Sequence, residues 1–116
     1  MPYDASADRF STGSATRQSP AVEVAALTAA MVSDTADLAV YAKALRVWNG
    51  SAAPVTLAVT PLGASGDTAA SAVTITVAAG TASYEPISVR RVRSTGSTGL
   101  VAGLGAGTVE VLLLLA

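Results

Sequence analysis

The sequence predicts an all-β protein: a small antiparallel β-sandwich (or small barrel) with an extended N-terminal arm. Three observations predict it. Val55, Leu57 and Val59 alternate with Thr56, Ala58 and Thr60, and Val73, Ile75 and Val77 alternate with Thr74 and Thr76. Period-two patterning with β-branched residues suits a half-buried strand. Turn signals divide these runs at Asn49-Gly50, Pro61 and Ala79-Gly80. The chain closes on a third alternating run, Thr108 to Leu115, which is apolar on both sides. Its first face carries Val109, Val111, Leu113 and Leu115, and its second carries Glu110, Leu112 and Leu114. Such a strand is either central in a sheet or covered by another subunit.

The 116 residues suffice for one domain with its own core. Residues 1–20 form the arm and residues 21–116 the sandwich. Met1 to Pro20 is rich in Ser, Thr, Asp and Ala, shows no period, and has no apolar run of the secretory kind. It cannot bury enough surface to fold alone, so order in it requires docking on its own domain or on a neighbouring chain. Tyr3 and Phe10 are its large apolar anchors.

Residues 21–48 read two ways. Val22 and Val24 flank Glu23 in strand fashion, yet the alanines that follow suit a helix. Asp34 to Asp37 reads as a turn or a helix cap. Leu45 and Val47 alternate with Arg46, and Asn49-Gly50 ends the segment. Gly63 to Ser71 is a polar loop. Ile87 and Val89 start another alternation, but Val92 falls out of phase after Arg90-Arg91, which a β-bulge explains. Ser94 to Gly107 reads as a flexible surface loop. The count is five or six short strands.

Composition excludes much chemistry. The chain has no Cys and no His, so thiol nucleophiles, thiolate sites and the usual neutral-pH acid/base are missing. Charged residues make up 13% and the net charge is -1, which argues against a nucleic-acid partner. Gly99 to Ala116 is nearly all apolar and holds Gly99-x-x-x-Gly103, a spacing found in packed membrane helices. Glu110 and four glycines weigh against a membrane span, since each Gly costs a helix interior about 1 kcal/mol.

No catalytic or cofactor site emerges. Asp34 and Asp37 lack the further oxygens that calcium needs. Lys43, the single lysine, is expected in solvent beside plentiful hydroxyls, and no spacing supports a cross-link of Lys43, Asn49 and Glu110. The late glycines lack the Gly-Lys-Ser/Thr ending of a phosphate loop. The reading is therefore no enzyme, no cofactor and no metal. Arg90, Arg91 and Arg93 form the basic cluster and are expected in a subunit contact or a structural ion pair.

Two stretches resemble the small spike-base proteins of tailed bacteriophages and gene transfer agents. One is Asp37-Leu38, then Ala42-Lys43-Ala44-Leu45-Arg46-Val47 and Asn49-Gly50. The other runs from Val73-Thr74-Ile75 through Ala79-Gly80 and Pro86-Ile87-Ser88-Val89-Arg90-Arg91-Val92 to Thr95-Gly96-Ser97-Thr98. The resemblance covers Asp37 to Thr98 and departs in the Gly63–Ser71 loop and in Leu100–Ala116. It implies a virion structural protein assembled in the host cytoplasm. Such a base is homo-oligomeric, sits on the capsid protein at a vertex and holds a spike or fibre protein, with no nucleic-acid or membrane partner. Tyr3, Phe10, Arg90, Arg91 and Arg93 are the interaction candidates. The alternative is a carbohydrate-binding head or tail accessory module. That would require two of Tyr3, Phe10, Tyr41, Trp48 and Tyr84 on one exposed face.

Overall fold

The structure is a computed structural model that describes residue 7 and residues 23–115. Seven strands lie in it: β1 (Glu23–Ala26), β2 (Ala44–Asn49), β3 (Val55–Pro61), β4 (Val73–Val77), β5 (Thr81–Glu85), β6 (Val89–Thr98) and β7 (Val109–Leu115). They form two antiparallel sheets, ordered β1-β7-β2-β5 and β4-β3-β6. The two sheets are separate, so the sandwich is the observed form and the barrel is not.

The alternation in sequence sets the two inner faces. Leu45 and Val47 of β2 and Val109, Val111, Leu113 and Leu115 of β7 meet Val55, Leu57 and Val59 of β3 and Val89 and Val92 of β6. Each fully buried side chain of this size contributes about 1.5–3 kcal/mol of transfer free energy. The doubly apolar β7 lies between β1 and β2, so its first face is in the core and its second lies on the outside of the sheet.

The ambiguous segment 21–48 resolves into β1, a single 3-10 turn at Ala29–Met31, an irregular run, and β2. β-sheet pairing overrides the helical preference of its alanines: β1 pairs with β7 from Glu23↔Leu115 to Ala26↔Leu112. The chain crosses between sheets after Asn49, which is wholly buried and fully bonded. Its Nδ2 donates to the carbonyls of Ala53 at 2.9 Å and Val77 at 3.0 Å, and its Oδ1 accepts from Ser51 N at 3.0 Å.

Ser94 to Gly107 is not the flexible loop that its composition suggests. β6 continues to Thr98, and α1 (Leu100–Ala106) follows. Packing accounts for the short helix despite its glycines. A Cβ at Gly103 would come within 2.4 Å of Val109 Cγ2, so glycine lets α1 lie directly against β7, with Leu100 in the core. Gly107, at φ 79°, ends the helix in the left-handed conformation. Among the described residues, no helix is long and apolar enough to cross a membrane.

Candidate functional site

The basic cluster is built by the bulge that the phase of Val92 signals. Thr60 pairs with Arg91 while Pro61 pairs with Val89, which leaves Arg90 as the extra residue. The insertion allows Val89 and Val92 both to face the core. Arg90, Arg91 and Arg93 are then left on the other side of the three-stranded sheet, beside Ala58 and Thr60. All three are buried, at 2%, 1% and 6% exposure, so their guanidinium groups belong to the interior and not to the free surface.

Two connections cover them. Residues 33–38 run along the free edge of β6, with Ser33 N donating to Val92 O at 2.9 Å and Leu38 N to Arg90 O at 2.8 Å. The segment after β3 is fixed by Leu62 N donating to Ser88 O at 2.8 Å. Each connection supplies carboxylates. Asp37 Oδ1 accepts from Arg91 Nε at 2.8 Å, and its Oδ2 lies 3.3 Å from an Arg90 terminal nitrogen. The same nitrogen of Arg90 pairs with Asp67. The other nitrogen of Arg90 donates to the carbonyls of Ala64 at 3.2 Å and Gly66 at 3.1 Å. Arg91 donates to Asp34 O at 3.0 Å, and Arg93 to Asp67 O at 2.8 Å. Each of the three arginines is paired with an aspartate, and burying charge at this depth requires such pairing.

Electrostatics follow this geometry. Burial works against the charge on Arg90, but Asp67 and Asp37 overcome it and raise its pKa above the usual arginine value. The Thr95 hydroxyl and backbone N–H hold Asp34 below the usual aspartate value, with help from Arg93 and Ser94 N and against desolvation. Asp34 and Asp37 therefore serve as arginine partners, a role beyond the turn or cap that their spacing suggests. Among the described residues no group of three or more acidic side chains is placed to hold a metal ion.

Lys43 is buried, contrary to the expectation of a solvated side chain. Its backbone is fixed from two sides, with its N–H donating to Leu114 O at 2.7 Å and its carbonyl accepting from Ser88 Oγ at 3.2 Å. Lys43 precedes β2 and Asn49 ends it, while Glu110 is exposed, so the three are spread out and form no cross-linking centre. Tyr3 and Phe10 lie outside the described residues. Ala7 is described: its carbonyl accepts from Tyr41 N at 3.0 Å, so the arm meets its own domain there.

A second feature lies on the outside of the four-stranded sheet. The register puts Trp48 opposite Glu110 and Ala82, Arg46 opposite Leu112 and Tyr84, and Ala44 opposite Leu114. Val24 and Ala26 extend these rows through β1. Trp48, Tyr84 and Val24 are 41%, 61% and 58% exposed. Trp48 and Tyr84 thus share one exposed face, diagonal to each other across β2 and β5. The Trp48 indole rests on Gly50: its Nε1 is 3.0 Å from the place a Cβ at that glycine would take. An apolar pocket of about 250 Å³ lies on the inner side of β1 and β7, lined by Ala25, Met31, Leu38, Val40, Leu113 and Leu115.

No protein-family model matches this chain, and no curated protein matches it. It is similar to a solved chain described as "Capsid of native GTA particle computed with C5 symmetry", GTA being a gene transfer agent. The two are 26% identical, with a TM-score of 0.50. The match covers 90% of this chain and 95% of the other. The likeness therefore extends over most of the chain and is not confined to one motif.

Proposed function

We propose that this chain is a structural subunit of a virus-like or gene transfer agent particle, more narrowly the base that anchors a spike or fibre to the capsid at a vertex. The observation that carries the reading is the likeness, over 90% of this chain, to a chain of a gene transfer agent capsid. The spike-base pattern from Asp37 to Thr98 is independent support for the narrower form. The capsid that holds the similar chain was computed with C5 symmetry, the symmetry of a vertex, which is compatible with a base that surrounds one.

In this reading the protein works by adhesion. Its basic cluster is neutralised within the chain, and its partners are copies of itself, the capsid protein and the spike or fibre protein. Arg90, Arg91 and Arg93 serve those contacts by holding residues 33–38 and 62–68 in shape. Tyr3 and Phe10 of the arm are the side chains proposed to reach a neighbour. Particles produced without the chain are expected to keep their shells and lose their spikes under the electron microscope. Spiked particles that never contained it would end this reading.

A further inference from the structure

Two sheet edges are treated differently. The free edge of β6 is covered by residues 33–38, whereas β1 is the last strand of its sheet and is left open among the described residues. Leu27 N donates to Val111 O at 2.8 Å, which fixes the phase of the β1–β7 ladder. Glu23, Ala25 and Leu27 turn their backbone groups toward β7, and Val24 and Ala26 turn theirs to the open edge. Apart from Glu23 at its start, β1 carries no charge, Pro or bulge, the devices by which sheet edges are guarded. The apolar pocket lies directly inside this edge, against Ala25, Leu113 and Leu115. At about 250 Å³ it exceeds the ~150 Å³ that holds a benzene ring. Edge and pocket together fit one extended segment bearing one aromatic side chain, added to the sheet as a strand.

We infer that residues 8–12 of a neighbouring copy form this strand, antiparallel to β1, with Phe10 beside Ala25 and its ring in the pocket. Of the two aromatics in the arm, Phe10 is the one without a hydroxyl that an apolar pocket would leave unpaired. Antiparallel pairing puts Thr12 beside Glu23. The parallel choice would put Asp8 there, carboxylate against carboxylate. Direction also decides whose arm it is. Asp8 lies beside Leu27, four residues along β1 from Glu23, a distance of ~13 Å. Ala7 of the same chain is held at the opposite end. Its carbonyl is bound by Tyr41 N, and Tyr41 lies beyond the Lys43–Leu114 bond, where β7 ends beside the start of β1. Consecutive Cα atoms are only ~3.8 Å apart, so the chain's own arm cannot make this strand, and the arm of another copy can. The arm and its socket are different surfaces, so each copy gives to one neighbour and takes from another. Such a contact closes into a ring, the form that a vertex needs.

This inference deepens the proposed function, on which the ring rests, and its first test needs no particle. The sequence contains no Cys, so Ser11→Cys with Val24→Cys makes the engineered pair the only disulfide that can form. In the antiparallel register these residues are a hydrogen-bonded pair with Cα atoms ~5.5 Å apart, inside the range a disulfide spans. Oxidation of the purified full chain is expected to give covalent multimers, up to a closed ring, on a denaturing gel without reductant. Either single variant can give no more than a dimer. Phe10→Ala in the double variant is expected to abolish the multimers, while circular dichroism shows that the fold is retained. A disulfide within one chain, or thiols that stay free, overturns the inference. So do multimers that persist without Phe10. Particles whose chains are linked only internally overturn this inference alone, whereas multimers of a chain that particles never take up overturn the virion reading alone.

Discussion

The two outer faces of the sandwich invert the usual arrangement. On the three-stranded sheet, three arginines are turned outward from the core and then buried under residues 33–38 and 62–68. On the four-stranded sheet, Trp48, Tyr84 and Val24 are turned outward and left exposed. One face is charged and covered by its own chain; the other is apolar and uncovered among the described residues. The difference shows that connections, and not strands, decide which outward residues meet solvent. β2 alternates normally on its core side, and β6 keeps Val89 and Val92 there through the bulge at Arg90. The carboxylates that cover β6 come from segments without regular structure.

The contrast can be broken hardest through the shared core. Leu113→Asp or Val111→Asp is expected to prevent folding, because an unpaired carboxylate there costs several kcal/mol. Loss of the cooperative transition in circular dichroism checks it. Soluble folded variants would mean that β7 is misassigned. Asp37→Ala comes next: it leaves Arg90 and Arg91 short of a carboxylate, at a cost of about 3–5 kcal/mol, read as a lower urea midpoint. Arg90→Ala with Arg91→Ala should likewise weaken folding. From sequence alone, an interface role would make assembly the more sensitive property; burial makes it folding. Gly103→Ala should cost about 1–3 kcal/mol by pushing α1 away from Val109, seen in thermal unfolding. On the exposed face Trp48→Ala should alter stability by only about 0.5 kcal/mol. A large loss there would mean that the face is part of the fold.

The smallest effect is that of acid. Asp34 has a folded pKa below its unfolded value, so its contribution to stability is complete above the unfolded pKa near 3.8. It is lost as pH falls through the lower folded value. Asp34→Asn should therefore remove a small part of the acid dependence below about pH 4 and change little at neutral pH. A variant that retained the full acid dependence would show that the Thr95 contacts do not hold the carboxylate.

The strands were legible wherever alternation was clean, as in Val55–Thr60 and Val73–Val77, because a half-buried strand leaves its period in the sequence. Even the bulge was visible, since Val92 falls out of phase with Val89. The partners of the arginines were not, because Asp37 and Arg91 are 54 residues apart in sequence and single-chain spacing contains no record of such pairing. Ser94–Gly107 was misread because glycine content predicts a loop, whereas the close approach of Gly103 to Val109 makes helix and glycine compatible. The exposed pair was hidden for a similar reason: Trp48 and Tyr84 meet only through the β2–β5 register.

Within the Val89–Arg93 run of β6, Arg90 is the residue that has no opposite number on β3. Deleting it would restore simple alternation, with Arg91 still opposite Thr60 and Val89 still opposite Pro61. The core valines would keep their places, and Asp37 and Asp67 would lose the guanidinium they share. The extra residue thus adds a cation to the covered side of the strand without moving the valines on the other, and its omission should cost the ionic network more than the core.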